Sequence, residues 1–418
     1  MHIGIIGGGI IGLSSAYYLH QAGHRVTVFD QNRITDGCSF GNAGMIVPSH
    51  IIPLAQPGMI AKGMRWMLKS TSPFYVKPRL NLDLMRWGWL FYRHATPAHV
   101  ERAIPALRDI SLLSKKLYQD LAAASSAGTL APFGWQERGL MMLYKTAGAE
   151  HEMAEEADVA NRAGIEAQLL SGQQVQDKEP NVRVDVRGAI FYPGDAHLNP
   201  SELIRSLVTY LQQQGVQFVE EQTVTGFGTQ GSRIDRIVTN KGDYTVDQAV
   251  VAGGSWSPEL ARLLGFSLSL QGGKGYSFML NDLAKTVQIP AIMLEARATA
   301  TPMGNGLRFA GTLEVAGTDQ SVNMNRVRGI VAGITQYYPE LPVELPKAET
   351  VWKGLRPCSP DGLPYIGRVR QFDNLTLATG HGMMGLSLGP ATGKLVAETI
   401  ANASPSMDLA PFLPGRFS

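Results

Sequence analysis

The chain has 418 residues, of which 44% are hydrophobic and 17% charged, and it carries a net charge of +2 at pH 7. The length predicts about two domains, and the near-neutral charge gives no electrostatic basis for nucleic-acid binding. No apolar run is long enough to span a membrane and no basic leader precedes the first apolar residues, so we expect neither a transmembrane helix nor a secretory signal. Cys38 and Cys358 lack the spacing of metal ligands, which predicts a cytoplasmic protein without a bound metal.

The N-terminal residues predict a strand, turn, helix and strand in one unit. An apolar strand from Ile3 to Ile6 leads to a helix from Ile10 to Gln21, and a second strand stops at Asp30. The turn between them has glycines at G-x-G-x-x-G spacing, namely Gly7, Gly9 and Gly12. A glycine triplet alone is a weak signal in a glycine-rich chain, but this order of elements with a terminal acid is a strong one.

Each part of this unit has a physical role in binding a dinucleotide. Gly7 permits the tight turn, Gly9 lets the backbone approach a diphosphate, and Gly12 lets helix and strand pack closely. The helix N-terminus directs free N–H groups and partial positive charge at the diphosphate. Asp30 would accept hydrogen bonds from the adenosine ribose. We predict NAD or FAD here, and the alternative is a buried unit with no ligand.

The next loop, residues 36–45, is rich in small residues and has no regular period. Such a backbone can lie against a flat ligand because few side chains hold it away. Ser39 and Asn42 could bond a phosphate or a ring edge. The alternative is an ordinary surface loop.

The stretch from Ile51 to Tyr92 combines prolines and basic residues with Trp66, Trp87 and Trp89. This pattern is typical of a surface that rests on membrane lipid. We favour a helical cap that packs its tryptophans inward, because tryptophan is usually mostly buried.

The sequence returns to alternating strands and helices after Gly188. A helix from Pro200 to Gln214 and several short strands precede a second glycine turn at Gly253 and Gly254. That turn could place N–H groups near a phosphate or adenine, or it could be an ordinary strand–helix joint. Beyond Gly265, alternating segments predict antiparallel strands of a second domain.

Several separate motifs along the chain follow the order found in one known protein family. They are the Gly7–Gly12 turn with Asp30, Ser39 to Gly44, Gly194 to Pro200, Val250 to Ser257, Gly273 to Ser277, Gly354 to Pro357, Pro360 to Gly362, and Thr379 to Gly382. The chain resembles the FAD-dependent amino-acid oxidoreductases of the D-amino-acid oxidase type over nearly its whole length. That family includes glycine oxidase and the bacterial D-amino-acid dehydrogenases, and the dehydrogenase branch looks closest.

The resemblance implies FAD rather than NAD, and an α/β fold with a discontinuous Rossmann-like FAD-binding domain and a mixed-sheet substrate domain. The expected FAD-binding segments are residues 1–48, 188–262 and 350–418. Residues 49–187 and 263–349 would form the substrate domain, or cap.

The resemblance also implies site residues. Arg356 falls on the arginine that holds the substrate carboxylate, a role that suits its planar fork; a structural ion pair is the alternative. His381 and Tyr276 are further candidate catalytic contacts, although His381 could equally fix its turn. Residues expected at the cofactor are Gly7, Gly9, Ile10, Ile11, Gly12, Asp30, Gln31, Ser39, Asn42, Ala43, Gly44, Met45, Val224, Gly253, Gly254, Trp256, Gly382, Met383, Met384, Gly385 and Leu386.

The glycine turn at 380–385 should bring N–H groups and a helix dipole near the flavin N1/C2 carbonyl, which would favour reduction. Departures from the family shape the expected pocket. Thr299 aligns approximately with a tyrosine of glycine oxidase, and Met45, Met383 and Met384 would make the pocket apolar and adaptable. A covalent flavin link is not expected, because Cys358 is displaced from the cysteine that forms it in sarcosine oxidases.

Together these features predict an enzyme that transfers hydride from the Cα of a D-amino acid or a cyclic amino acid, such as D-proline or D-hydroxyproline, to FAD. A quinone or another acceptor would then take the electrons, and peripheral contact at the inner face of the cell membrane would fit that acceptor. The alternatives are a glycine- or sarcosine-type oxidase that uses oxygen directly, and a non-catalytic flavin- or NAD-binding module. The oligomeric state is not predicted.

Overall fold

The computed structural model describes residues 1–61, 74–76 and 81–417. Trp66, one of the three tryptophans considered for a membrane surface, lies outside the described residues. Strands and helices alternate along most of the chain, and short 3-10 helices mark several turns.

The strands are β1 (His2–Ile6), β2 (Arg25–Phe29), β3 (Met45–Ile46), β4 (Phe74–Val76), β5 (Leu140–Tyr144), β6 (Gln168–Ser171), β7 (Gly188–Tyr192), β8 (Ala196–His197), β9 (Gln217–Val219), β10 (Val224–Gln230), β11 (Arg233–Thr239), β12 (Gly242–Thr245), β13 (Gln248–Val251), β14 (Gln271–Leu280), β15 (Ala291–Met293), β16 (Ala298–Met303), β17 (Gly306–Val315), β18 (Trp352–Cys358), β19 (Tyr365–Arg368) and β20 (Leu375–Thr379). The helices are α1 (Ile10–Gln21), α2 (Leu82–His94), α3 (Pro97–Ser126), α4 (Ala147–Arg162), α5 (Gly172–Lys178), α6 (Pro200–Gln213), α7 (Ser257–Leu263), α8 (Met324–Tyr337) and α9 (Gly389–Ala401).

One sheet has the strand order β19-β20-β13-β1-β2-β9 and is parallel except at β19. Its β1 is apolar on both faces because both faces are covered. Ile3 and Ile5 pack against α1, α6 and α9, while Ile6 packs against the small antiparallel sheet β10-β11-β12. The first helix and α9 approach so closely that a Cβ on Gly393 would lie 2.4 Å from the carbonyl carbon of Ser14.

The second large sheet is mixed and has the order β18-β14-β17-β16-β15-β5-β7-β6, with β4 paired to β17. Helix α8 covers one face, where Phe278 and Phe309 belong to a buried apolar cluster. The paired residues Ser277, Ala310, Thr299, Ile292 and Met142 share the opposite face, because directly paired residues of neighbouring strands point to the same side. That face turns toward the parallel sheet.

This architecture confirms the predicted α/β class, with a Rossmann-like sheet and a mixed-sheet second unit. The predicted domain boundaries remain a prediction. Two strands depart from them, since β7 and β18 pair within the mixed sheet although segments 188–262 and 350–418 were assigned to the FAD-binding domain. Each of these strands lies at the start of its segment, next to a segment predicted for the substrate domain. The chain therefore passes to the FAD-binding unit after the strand, not before it.

Helix α2 divides its tryptophans between two faces. The indole of Trp87 points inward and its Nε1 donates to the carbonyl of Cys358 at 2.9 Å. On the outer face, four large apolar residues recur at helical spacing and are 56–82% exposed: Leu82, Met85, Trp89 and Tyr92. The expectation of inward tryptophans therefore holds for Trp87 and not for Trp89. Among the described residues, no helix has the length and apolar character needed to span a membrane.

Candidate functional site

A cavity of about 1,210 Å³ lies between the parallel sheet and the mixed-sheet face that carries Thr299, Ala310 and Ile292. Its wall includes the first glycine turn, the second glycine turn at Gly253, the turn before α9, and Arg356. The carboxyl ends of parallel strands with their glycine turns are the usual ligand-binding edge of such a sheet. The cavity therefore joins the predicted cofactor residues to the predicted substrate residue.

Most of the predicted cofactor residues line this cavity, and two of them support it from behind. Gly12 cannot carry a side chain because a Cβ there would lie 1.8 Å from the carbonyl oxygen of Gly7. Gly44 has φ +82, and a Cβ there would lie 2.3 Å from the carbonyl oxygen of Leu198. Both glycines thus permit close packing of the chain behind the cavity wall rather than contact with a ligand.

The first turn has the geometry that its sequence predicts. Gly7 has φ +111, a conformation that side chains disfavour, and it sits against the carbonyl of Ala252. The backbone N–H of Ile10, at the start of α1, donates to Ser39 Oγ at 3.0 Å. Ser39 therefore belongs to the wall of the turn, although in this arrangement its oxygen serves the helix N-terminus.

Asp30 is held in place by two backbone N–H groups. Its Oδ2 accepts from the backbone N–H of Gly8 at 2.8 Å, and its Oδ1 accepts from Asn32 at 2.9 Å. Burial raises the pKa of this carboxyl, while the two N–H donors oppose the shift. Carboxylate oxygens retain further lone pairs, so Asp30 can still accept a hydroxyl hydrogen bond at the cavity edge.

The small-residue loop is fastened to the mixed sheet. Ser277 Oγ donates to the carbonyl of Gly41 at 2.8 Å, and Arg308 Nη1 donates to the carbonyl of Asn42 at 2.8 Å. The ring of Trp352 lies over Gly41, where a Cβ would be 2.2 Å from a ring carbon. Burial lowers the pKa of Arg308 to about 10, so its guanidinium stays charged at neutral pH. The backbone of this loop is thereby presented to the cavity as a fixed surface.

Arg356 is half-buried and lines the cavity wall. Its Nη1 donates to the carbonyl of Thr312 at 2.7 Å, and burial lowers its pKa. Within the described part of the chain, no carboxylate forms an ion pair with Arg356. Gly275 makes room for the guanidinium, because a Cβ there would lie 2.2 Å from Nη1. The alternative of a structural ion pair therefore finds no partner among the described residues.

A bulge aims the carbonyl that holds Arg356. Between the pairs Tyr276–Gly311 and Lys274–Glu314, strand β17 has the extra residue that defines a β-bulge. Thr312 lies in this bulge with φ +67, which is rare for a β-branched residue. Such strained positions persist where the surrounding structure fixes them, and they concentrate at functional sites.

Tyr276 lines the same cavity as Arg356, but its side chain points to the other face of the sheet. The pairing of Gly273 with Arg356 puts Gly273 and Gly275 on the Arg356 face, and Tyr276 on the opposite one. Its hydroxyl accepts from Asn323 N at 3.1 Å and lies 3.3 Å from Glu314 Oε2. Tyr276 is 1% exposed and packs in the core of the mixed sheet. A role for its hydroxyl as a substrate contact is not supported by this placement.

His381 lies in the turn before α9 and is 3% exposed. Its Nε2 bonds Thr392 Oγ1 at 2.9 Å, and burial lowers its pKa to about 3. A neutral imidazole tied to the helix is suited to fixing the turn and unsuited to proton transfer near pH 7. Gly380 and Gly382, with φ +80 and +54, make the turn possible.

The far wall of the cavity is largely apolar. Ile292, Leu294 and Met142 line it together with Thr299, from the mixed-sheet face that turns toward the parallel sheet. Met45, Met383 and Met384 also line the cavity, as predicted residues of an apolar pocket. Burial raises the pKa of the Cys358 thiol to about 11, so this cysteine is a neutral packing residue.

Sequence reasoning missed Arg308, Thr312 and His50, all three buried or half-buried beside the site. Arg308 and Thr312 gave no local signal, because their partners are distant in sequence. His50 had a signal that could have been used: Ser49 and His50 form a polar pair inside an apolar run. Among the described residues, no group of His, Cys, Asp and Glu is placed to hold a metal ion.

The cavity wall fits a dinucleotide cofactor. A Cβ on Gly254 or Gly382 would meet no protein atom within 4 Å, so bare backbone faces open space at both turns. Both turns line the cavity, as does Val224 at the start of β10. Exposed N–H groups at such turns bind phosphate and electron-rich ring edges.

Comparison with known proteins gives a consistent result. The model of the family described as FAD dependent oxidoreductase (DAO) matches residues 2–399. D-amino acid dehydrogenase of Granulibacter bethesdensis is 31% identical over 100% of both chains, and that of Bradyrhizobium diazoefficiens is 30% identical over 100% of this chain and 99% of its own.

Solved structures share the fold at lower identity. Glycine oxidase from Bacillus cereus has a TM-score of 0.77 at 22% identity, with 99% of this chain and 98% of that chain covered. L-proline dehydrogenase from P. horikoshii has a TM-score of 0.78 at 19% identity, with 100% and 97% covered.

Proposed function

This chain belongs to the family of FAD-dependent oxidoreductases, and on that premise we propose that it oxidises a D-amino acid, with a neutral or cyclic side chain such as that of D-proline or D-hydroxyproline preferred. It is an oxidoreductase and FAD is its cofactor. The proposed reaction transfers hydride from the substrate Cα to the flavin. The relatives named D-amino acid dehydrogenase support the class of reaction.

The half-buried guanidinium of Arg356 carries the proposal. One carbonyl satisfies one of its five N–H donors. A charge that is partly withdrawn from water and has no counter-ion is unfavourable, so the cavity favours an anion at this point. A carboxylate matches the planar fork with two parallel hydrogen bonds. Every amino acid has such a group next to the carbon that is oxidised.

The cofactor would be held by the residues that form the two glycine turns and the turn before α9. Gly7 to Asp30 would take the diphosphate and adenosine, with Val224 and Gly253 beside them. The loop around Asn42 and the turn at 382–385 would border the ring. FAD supplies a hydride acceptor, and N–H groups and a helix dipole near that ring would stabilise the negative charge that reduction creates.

The protein's own part in the reaction is orientation. Arg356 would fix the carboxylate, and the apolar wall at Ile292 and Leu294 would take the side chain. Holding the reacting carbon in one orientation removes much of the entropic cost of reaching the transition state, which lowers the activation free energy by several kcal/mol. An apolar wall disfavours a charged side chain because that charge would lose its hydration.

The electron acceptor is proposed to be a quinone at a membrane surface. The support is the exposed apolar stripe of α2, formed by Leu82, Met85, Trp89 and Tyr92. The guanidinium of Arg93 lies 4.9 Å from the centre of the Trp89 ring, so positive charge accompanies the stripe. Aromatic and basic residues together suit the anionic interface of a bilayer.

The decisive experiment is anaerobic mixing of the purified protein with a substrate panel. The panel contains neutral, acidic and basic D-amino acids, D-proline, D-hydroxyproline, glycine and sarcosine, with the L-enantiomers as controls. We expect the flavin absorbance near 450 nm to bleach with neutral or cyclic D-substrates. Bleaching by glycine and sarcosine alone, followed by fast recovery in air, would favour the oxidase alternative. A flavin that none of the panel bleaches would refute the proposal.

A further inference from the structure

A buried chain of hydrogen bonds ends at the cavity in His50. Asp195, 1% exposed, accepts from Ser49 twice: from the backbone N–H at 3.1 Å and from Oγ–H at 2.5 Å. The Oγ of Ser49 lies 3.1 Å from His50 Nδ1. His50 is half-buried and forms part of the cavity wall. The order is carboxyl, hydroxyl, imidazole, cavity.

The hydrogen-bond chain assigns the tautomer of His50 when Asp195 is ionised. Burial raises the pKa of Asp195 to about 7, and its ionised form accepts the one hydrogen of the Ser49 hydroxyl. The remaining capacity of Ser49 Oγ is that of an acceptor, so His50 Nδ1 must be the donor. The lone pair of the imidazole is then on Nε2, which makes no hydrogen bond to any residue that the structure describes. Burial lowers the pKa of His50 to about 4, so the ring is neutral at physiological pH.

The neighbours of His50 place it at the substrate end of the cavity. Three residues earlier, Val47 N donates to Ser387 Oγ at 3.0 Å, beside the turn that precedes α9. One residue later, Ile51 packs in a cluster with Met142 and Leu294, which line the apolar wall. His50 therefore lies between the turn proposed to border the flavin ring and the wall proposed to take the substrate side chain.

Resting on the proposed function, we propose that Nε2 of His50 accepts a hydrogen bond from the substrate nitrogen, so that His50 and Arg356 hold the amino acid at two points. His50 is then a catalytic residue that touches substrate. A two-point hold fixes the direction of the Cα–H bond, which one contact at the carboxylate cannot do.

The chemistry needs no proton on His50. The substrate reacts as its neutral amine: the Cα–H bond breaks, the hydrogen leaves with the electron pair to FAD, and the nitrogen lone pair forms the C=N bond. Positive charge then develops on nitrogen. A neutral acceptor facing an N–H on that nitrogen stabilises the charge, and Ser49 and Asp195 orient the acceptor from behind.

The test compares His50→Leu, which removes the acceptor, with His50→Gln, whose amide oxygen can still accept. The matched control is His151→Leu, at a histidine whose side chain is 80% exposed on α4. Flavin reduction is followed anaerobically at saturating substrate. We expect His50→Leu to reduce the rate constant about 10- to 100-fold, the range expected for loss of a hydrogen bond to a charged group. His50→Gln should recover part of this loss, and His151→Leu should match the wild type.

A binding measurement gives a readout that does not depend on turnover. The two ligands are an α-methyl amino acid, which has the amine but no Cα–H, and a plain carboxylic acid of similar size. Ser49→Ala, which removes the partner of Nδ1, is measured as well. His50→Leu and Ser49→Ala should weaken binding of the α-methyl amino acid and leave binding of the carboxylic acid unchanged.

The outcomes separate this proposal from the proposed function. A wild-type flavin that no amino acid reduces refutes the function itself. A wild-type flavin that is reduced, with His50→Leu within twofold of it, overturns the role of His50 and leaves the function intact. Equal weakening of both ligands in His50→Leu would also overturn it, because that result describes a collapsed pocket rather than a lost contact.

Discussion

Gly275→Ala should displace the guanidinium of Arg356 although residue 356 itself is unchanged. A Cβ at residue 275 would lie 2.2 Å from Nη1, 2.6 Å from Nη2 and 2.7 Å from Cζ of Arg356. Ordinary contact begins near 3.4 Å, so the guanidinium must move by about 1.2 Å, the difference between 3.4 and 2.2 Å. Its 2.7 Å bond to the carbonyl of Thr312 would break or tilt. Because φ of Gly275 is outside the left-handed region, the substitution adds no backbone strain.

A displacement of about 1 Å in a positioning group costs on the order of 100-fold in rate. We therefore expect kcat/KM of Gly275→Ala to fall by about 100-fold, mainly through KM, while the flavin spectrum and FAD content stay unchanged. The control is Gly242→Ala in β12, where the added Cβ meets nothing within 4 Å. Steady-state kinetics with the best substrate of the panel measures the effect.

The double variant sharpens the test. Arg356→Ala should raise KM strongly with FAD still bound, and Gly275→Ala added to it should cause little further loss, because both changes act on one guanidinium. Additive losses would show that Gly275 acts through something other than Arg356. An unchanged KM in Gly275→Ala, with the protein folded and yellow, would refute the assignment of Arg356 to the substrate carboxylate.

Two further predictions concern stability and the α2 surface. Glu179 is buried and accepts hydrogen bonds from Gln288 N and Ile289 N, and burial raises its pKa to about 7. Between pH 4.5 and 7 the folded protein keeps the Glu179 proton that the unfolded chain releases. The free energy of unfolding therefore falls as the pH rises from 4.5 to 7. Glu179→Gln should gain stability relative to the wild type across that window, by up to about 3 kcal/mol at 1.36 kcal/mol per pKa unit, and a pH-independent difference in urea unfolding would contradict this. The double variant Leu82→Ser, Trp89→Ser should bind anionic vesicles about tenfold or more weakly in co-sedimentation, because burying one large apolar side chain contributes about 1.5–3 kcal/mol. The control is Leu345→Ser, at another exposed leucine. A wild-type protein that stays in the supernatant would refute the membrane proposal.

Local rules made the first glycine turn predictable. The conformation of Gly7 and the close packing at Gly12 follow from spacing within one short unit, and Asp30 follows from where the second strand stops. The second turn at Gly253 and the one at Gly382 obey the same local rules. Sequence therefore reaches the parts of the site whose geometry is set by neighbouring residues.

The rest depends on partners that are far apart in the chain. Gly275 clears space for Arg356 only because β14 and β18 pair in one register. The position of Tyr276 follows from the same register: a shift of one residue along a strand moves a side chain to the other face. The hydrogen-bond chain from Asp195 to His50 joins two loops, and no spacing rule connects them.

The close contact between α1 and α9 constrains how the protein is made. Helix α1 leaves the ribosome early, but its packing partner at Gly393 and β13, the strand that pairs with β1, are translated far later. During synthesis the apolar faces of β1 and α1 therefore stay exposed until these partners are translated, and such exposed apolar surface favours chaperone binding and aggregation. The cavity wall includes the turns at Gly253 and Gly382 as well as Gly7, so we expect FAD to bind after most of the chain has been translated.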